Sequence, residues 1–435
     1  MKKLLFIWRE LISTFWFLPI LIILAALLLA TAGVFLDLQM DYEPEGMVHY
    51  LFTGSADSAR SVLSIIAGAM IGVAGTVFSI TLVALTLASS QFGPRLLRNF
   101  MYVRINQVVL GAYVATFLYC LVVLNAINEI EQLFIPQISI LIALIAAVGN
   151  IILLIIFIHN IAISIQADHI ISEISISLSK NLQVLFPEKL GHDPPDERVP
   201  DVEGLGLAYR YTHYIAAPKS GYIQYIDSEK VFEQARHKNL LVILYFRPGD
   251  YLVRDMEVAE IYSDDKFEPD DLNDWQDVLI IGKMRTPHQD AEFSIHQMVE
   301  IADRALSPGI NDPYTAISCI DNLTATICYL TQVKFPSKYR YDDQGQLRVM
   351  ADVLTFEGMV NAAFNHIRQY AAGSPAVIIR LMEAMITISR FAKSAGQKSA
   401  VKKHARMILH LAENTFQEGN DLEDLRKRSR LILGE

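Results

Sequence analysis

Charge is scarce in this chain: Asp, Glu, Lys and Arg make up only 19% of its 435 residues, against about 25% in an average protein. That shortage argues against an ordinary soluble enzyme and against a disordered scaffold. Cysteine is scarcer still. Cys120, Cys319 and Cys328 are the complete set, and none belongs to a CxxC pair. Three such residues supply neither a disulfide framework nor a paired-Cys metal site, which places the polar part of the chain in a reducing cytoplasm. Base is outnumbered by acid, with 37 Lys+Arg against 47 Asp+Glu and a net charge of −10. Nucleic acid is therefore not an expected partner, because phosphate-backbone binding draws on clustered Lys and Arg.

Apolar residues fill the space that charge leaves, at 52% of the sequence and a mean hydropathy of +0.30. They are concentrated at the front: residues 1–167 hold 7 bases and 8 acids of the whole complement. Four stretches, Phe15–Leu36, Ser64–Leu87, Gln107–Ala126 and Ile138–Ile158, reach the roughly 20 apolar residues that a spanning helix requires at about 1.5 Å per residue. The first is too long and lacks the small-residue cleavage site of a signal peptide, so it is expected to be retained. Lys2, Lys3 and Arg9 precede it, and Arg95, Arg98 and Arg104 lie between the second and third spans. The other loops carry Asp37, Asp41, Glu43, Glu45, Asp57, Glu129 and Glu131, with Arg60 their lone base. The positive-inside rule then puts both termini in the cytoplasm.

None of the four apolar stretches contains a charged residue, and such residues ordinarily mark proton relays and charge-coupled pumps. A proton-coupled transporter is thus disfavoured; His159, at the edge of the fourth span, reads as a solvated interfacial histidine. The second span is different in kind. Gly68, Gly72, Gly75, Ser79, Thr86 and Ser90 follow one another at helical spacing, with only the Leu82/Val83 turn interrupting the stripe. Small residues of this type let helix backbones approach closely in lipid, and in a homo-oligomer the same stripe can line a pore and present hydroxyls to an ion. These six are the candidate pore-lining residues.

Beyond the spans, 164–203 reads as a helical stalk and linker, ended by Phe186-Pro187. Residues 204–284 carry short β runs, including LAYRYTHYIAA, SGYIQYI, NLLVILYF, MEVAEIY and DVLIIGK. A short helix with Ser228 as its cap interrupts them. The order looks like a small barrel- or sandwich-type β module, with no lipoyl or biotin attachment hairpin. Residues 285–435 read as a helical domain, its later segments forming an antiparallel bundle with solvated charged faces. The fold class expected is a four-helix membrane domain followed by a cytoplasmic α+β region.

One stretch carries most of the polar information. In Arg285–Leu323, Ile295, Met298, Val299, Ala302 and Leu306 form an apolar helix face, and Glu292, His296, Glu300 and Asp303 the polar one. Ser307-Pro308-Gly309 breaks that helix; Asp312 suits the N-cap of the next and Pro313 its first position. Every residue of SPGINDP thus has a turn or cap duty. The corner also offers a helix N-terminus suited to an anion or carboxylate, with Arg285, Gln289, Asp290, Arg304, Asn311, Asp312 and Thr315 as candidate ligand-binding residues. His296 and Glu300 at i, i+4 are far weaker than an HExxH metal site, and Ser307 lacks the GxSxG setting of a nucleophile. No catalytic residue, metal or cofactor is expected.

GTVFSITLVALTLASSQFGPRLL, then RTPHQDAEF and ALSPGINDPYTA far downstream, together resemble the bacterial predicted membrane proteins of domain-of-unknown-function family 2254. The resemblance spans nearly the whole chain. It implies a multi-pass protein of the bacterial cytoplasmic (inner) membrane with a large cytoplasmic region, and its signature residues (Arg285, Gln289, Asp290, Arg304, Ser307 to Gly309, Asn311 to Pro313, Thr315) come without assigned roles. The combined reading is an oligomeric channel or channel-like permeation protein. The alternative is a membrane-anchored sensor or scaffold that binds a small ligand or a protein at the corner.

Overall fold

A computed structural model of the chain describes residues 12, 14–39, 55–93, 104–127, 134–185, 200–268, 274–287 and 289–434. The expected linker at 186–199 lies outside these residues. So do most of the loop charges that set the expected orientation: Lys2, Lys3, Arg9, Arg95, Arg98, Asp41, Glu43, Glu45, Glu129 and Glu131. The chain divides into two compact units, Met1–His169 and Ile170–Glu435.

The first unit contains four helices long and apolar enough to cross a membrane: α1 (Phe17–Gln39), α2 (Ala56–Phe92), α3 (Arg104–Ala126) and α4 (Gln137–Ser164). The last three contain their expected apolar runs and extend past at least one end; α1 begins two residues after its expected start at Phe15 and runs three residues past Leu36. With 37 residues, α2 is about 55 Å long at 1.5 Å per residue, well beyond the ~30 Å hydrocarbon core. Ser55 caps its start by accepting from the Ser58 N–H.

Helix α3 is the most enclosed of the four, with half of its apolar window buried. Gly111 explains how α1 comes so close to it: a Cβ there would lie 2.9 Å from the Pro19 Cα. Uncharged polar groups fasten the bundle. Tyr113 Oη donates to the Asn150 carbonyl at 2.6 Å and Tyr119 Oη to the Ser139 carbonyl at 3.0 Å. Asn150 Nδ2 donates to Thr116 Oγ1 at 2.8 Å and reaches Met70 Sδ at 3.3 Å. At the end of α1, the Asp37 carboxylate accepts from the N–H groups of Ile138 and Ser139 and from Ser139 Oγ. It therefore caps α4, whose own cap position is Pro136 and makes no side-chain bond.

In the second unit, α5 (Ala167–Leu185, crossing the boundary) buries Ile171, Ile174 and Leu178 along one face. After a five-residue helix α6 (Val202–Gly206) come β1 (Tyr211–Ala216), β2 (Gly221–Ile226), α7 (Ser228–His237), β3 (Leu241–Leu244), β4 (Tyr251–Leu252), β5 (Glu257–Ser263) and β6 (Leu279–Gly282). The cap of α7 is Asp227, which accepts from the Lys230 N–H; Ser228, the expected cap, is instead the first helical residue.

Together with β7 (Tyr339–Tyr341) and β8 (Leu347–Ala351) from later in the chain, the strands form two sheets, β1-β5-β3-β8-β7 and β4-β2-β6. Between them lies one apolar core that includes Ile215, Ile223, Val242, Leu252, Ile261, Trp275 and Val349. A void of about 10 Å³ remains in it, walled by apolar groups, enough for about one water and no ligand. Neither sheet closes on itself, so the β region is two open sheets and no barrel is closed. Two strands correct the expected limits of the β module. The hairpin β7 (Tyr339–Tyr341) and β8 (Leu347–Ala351) comes from inside 285–435, and β8 pairs parallel with β3 through Val242, Ile243 and Leu244. A nearly fully buried Arg348–Asp342 pair at 2.7 Å, with Arg348 Nη1 on Asn239 Oδ1, fixes the hairpin.

Six longer helices complete this unit: α8 (Ala291–Ala305), α9 (Pro313–Leu330), α10 (Phe356–Tyr370), α11 (Pro375–Phe391), α12 (Ala395–Thr415) and α13 (Gly419–Leu433). Ile295, Met298, Ile320, Leu323, Met359, Phe364, Leu381, Met385 and Ile408 are among the side chains they bury completely.

Candidate functional site

The signature residues fall at two places in the second unit. The first is a joint between sheet and helix. Asp290 is the N-cap of α8, accepting from the Phe293 N–H at 3.0 Å. Its carboxylate is 4% exposed and takes both arms of Arg285, Nε to Oδ2 at 2.6 Å and Nη2 to Oδ1 at 2.8 Å. Burial disfavours the Arg285 charge, but the hydrogen bonds and charge of Asp290 outweigh it and hold its pKa above the ordinary value. Gln289 next door completes a two-way bond with the backbone of Ile226 in β2, accepting from its N–H and donating to its carbonyl. Gly249, at φ +99°, lets the turn before β4 approach: a Cβ there would sit 2.4 Å from Asp290 Oδ2. From that same turn Arg247 donates to both oxygens of Glu292 at 2.9 and 3.0 Å. Three residues proposed as ligand-binding, Arg285, Gln289 and Asp290, thus have protein partners here.

The second place is the SPGINDP corner. Leu306 caps the end of α8, Ser307 Oγ donates back to the Arg304 carbonyl at 2.6 Å, and Asn311 takes the left-handed conformation at φ +50°. The Asp312 N–H returns to the Ala305 carbonyl at 2.7 Å. Asp312 caps α9 with Pro313 at its first position, as expected. Its Oδ1 accepts from the N–H groups of Tyr314 and Thr315, and its Oδ2 from Thr315 Oγ1 at 2.6 Å. The helix-end donors that could hold an anion are therefore occupied by the protein's own carboxylate. Ile310 and Tyr314 project from the corner, 48% and 81% exposed.

The polar face of α8 is less solvated than its pattern suggests. Glu292 meets Arg247, and Arg285 Nη1 donates to His296 Nδ1 at 3.3 Å. Glu300 lies 3.6 Å from Arg304, and Asp303 lies 3.6 Å from His366 of α10. Burial pushes the Asp303 carboxyl up to about 6, with Glu300 adding to the shift and His366 opposing it. Burial likewise raises Glu292 against the pull of Arg247. Among the described residues no group of three or more His, Cys, Asp or Glu is arranged to hold a metal.

In the first unit the small-residue stripe is on the outside. Gly68, Gly72, Gly75, Ser79, Thr86 and Ser90 are all exposed, and nothing lies within 4 Å of where a Cβ would project from the three glycines. The opposite face of α2, through Leu63, Met70, Ala74, Val77, Ala84 and Ala88, is buried. Met70 and Gly72 show the geometry: two positions apart they diverge by about 200° around a helix. The hydroxyls of Ser79, Thr86 and Ser90 each donate to a carbonyl of their own helix at 2.9 Å.

Sequence reasoning that searched the spans for charge passed over Tyr113, Thr116, Tyr119, Ser139 and Asn150, the uncharged groups that bond across the bundle. The available signal was Asn150 itself, an amide in the middle of an otherwise apolar run. His366 was overlooked for the opposite reason, as one polar residue among many on a helix taken to be solvated.

Residues 12–387 match the model of a family described as "Predicted membrane protein (DUF2254)". Uncharacterized proteins of Mycobacterium bovis and Mycobacterium tuberculosis are each 30% identical to the chain over 377 residues, covering 85% of it and 71% of their own length. No solved structure matches.

Proposed function

We propose, from the premise that the chain belongs to the predicted-membrane-protein family DUF2254, that it is a non-enzymatic permeation protein, a homo-oligomeric channel for small cations in the bacterial inner membrane. Both termini and the second unit lie in the cytoplasm, where that unit assembles and gates the pore. The observation that carries the reading is the outward stripe of α2. One face of this helix is used up within the chain, while the other carries the six small residues, interrupted by the exposed Leu82 and Val83, with open space at Gly68, Gly72 and Gly75. Lipid gives no hydrophobic reason for such a face, whereas helix–helix approach does.

Cation preference follows from hydrogen-bond direction. Ser79, Thr86 and Ser90 spend their single hydroxyl proton on their own backbone, so what each turns outward is oxygen lone pairs. Rings of such oxygens replace part of a cation's hydration and offer an anion no donor. The test is purified protein in planar bilayers. Unitary cation currents are expected, reduced by Ser79→Leu and blocked by Gly75→Trp. Silent bilayers containing a well-folded oligomer overturn the proposal.

The sensor or scaffold reading keeps one specific support, the exposed Ile310 and Tyr314 at the corner. It would be favoured by silent bilayers together with capture of a protein that is lost on Tyr314→Ala.

A further inference from the structure

Helix α10 carries Asn361, Asn365 and Arg368 at i, i+4 and i+7 along one flank, so the three side chains lie in a row. His366, which meets Asp303 of α8, is on the other flank. The row faces α12. There His404, fully buried, bonds through Nε2 to Asn361 Oδ1 at 2.9 Å and packs edge-on to the Phe364 ring. Its second nitrogen, Nδ1, has no partner. Neither does Asn365 Oδ1 or Arg368 Nε, although all three atoms are shut away from solvent.

Arg368 is the unusual member. Among the described residues it makes no hydrogen bond and no ion pair, and burial lowers its pKa with no acid to counter the effect. Other arginines of this unit that are withdrawn from solvent are paired: Arg247 with Glu292, Arg285 with Asp290, Arg348 with Asp342. Glu357, three turns before Arg368 on α10 and acting on His404, is engaged by Lys403 at 2.9 Å. Arg368 Nε is a donor, whereas Asn365 Oδ1 is an acceptor, as is His404 Nδ1 while Nε2 donates to Asn361 Oδ1; such groups are costly to leave unpartnered, and a ligand that carries negative charge and also donates through a hydroxyl answers all three. Amide orientation and imidazole tautomer adapt to such a ligand, since turning Asn361 moves the ring proton to Nδ1.

We infer that Arg368, Asn365 and His404 form a binding site between α10 and α12 for a soluble phosphate-bearing small molecule. Arg368, still partly at the surface, receives the oxyanion in a two-pronged contact; Asn365 and His404 bond its remaining oxygens or hydroxyls. The site is remote from the α2 stripe in sequence and does not rest on the permeation proposal. Burial and the charges of Arg368 and Lys403 bring the His404 pKa down to about 4, with Glu357 opposing.

The test is calorimetric titration of the full chain in detergent with inorganic phosphate, against acetate and chloride at equal ionic strength. Saturable phosphate binding is expected, weakened at least tenfold by Arg368→Gln and several-fold by Asn365→Ala, and unchanged by Arg390→Gln on the exposed side of α11. If Arg368→Gln fails to fold, Asn365→Ala and His404→Gln decide by the same criterion. No saturable binding, equal response to acetate, or affinity indifferent to these substitutions in folded protein overturns the inference. Binding only to anionic phospholipid vesicles, with none to free phosphate, also overturns it, because the site would then read a lipid headgroup.

Discussion

Replacing Asp290 by alanine removes two things at once from the joint between sheet and helix. Loss of an N-cap costs about 1 kcal/mol. The larger effect is on Arg285, which would keep its charge with its strongest partner gone. Breaking a fully buried pair costs roughly 3–5 kcal/mol; since the Arg285 side chain is 24% exposed, water recovers part of this and about 2 kcal/mol is the better figure. The total, about 3 kcal/mol, corresponds to a drop of roughly 6–12 °C in a domain of this size. Differential scanning calorimetry of the purified protein reads it directly. Asp290→Asn keeps an acceptor for the Phe293 N–H and loses the charge, so it should fall between wild type and Asp290→Ala. In a double-mutant cycle with Arg285→Ala, the second substitution should cost little once Asp290 is gone. A melting point within about 1 °C of wild type, or additive costs in the cycle, would refute the view that this pair holds the joint.

Gly249→Ala forces a Cβ against the Asp290 carboxylate at a φ suited to glycine. It should destabilise by about 1–3 kcal/mol, and less in the Asp290→Ala background, as thermal melts of both would report. Asp303 gives a pH signature. Its folded pKa, about 6, exceeds the unfolded value, so the folded state holds the proton more tightly and the stability this contributes is lost as pH rises from about 4 to 6. Asp303→Asn should therefore gain on wild type in melting temperature across that window and hold a constant advantage above it; an advantage that shrinks with rising pH contradicts the assignment. Gly111→Leu should separate α1 from α3 and yield protein that aggregates on extraction, seen as void-volume elution in size-exclusion chromatography, whereas Gly149→Leu, in open space, should elute normally. Asn150→Ala removes a bond to Thr116 and should cost about 0.6 kcal/mol, the average for such interhelical bonds, measured by unfolding in mixed micelles.

Local features of this chain are legible because they depend on neighbours in sequence. The four spans stand out by apolar length alone. Asp312 and Pro313 announce the start of α9, since a cap needs only a carboxylate two or three residues ahead of free N–H groups. Features that depend on distant residues are hidden. The pairing of β8 with β3 joins Val349 to Val242, and neither short run specifies its partner. Asp37 reads as a loop acid, yet it caps a helix 101 residues away. The α8 polar face reads as solvated because the pattern records only which side is polar, and it takes the folded chain to bring Arg247 and His366 onto it. Of the candidate site residues, the RTPHQDAEF group was recognisable as a motif, while its work as a joint depends on the Gly249 turn and β2.

The most direct test of the α2 proposal is a cysteine-accessibility scan from residue 68 to 90 in the reconstituted protein. The background is favourable, because Cys120, Cys319 and Cys328 are all buried. A membrane-impermeant thiol reagent should modify cysteines at Gly72, Gly75, Ser79 and Thr86, reducing the current each time, and should leave the flanking Phe78 and Ile80 positions untouched. Uniform protection along the helix, or modification that follows Phe78 and Ile80 in place of the stripe, would contradict the account.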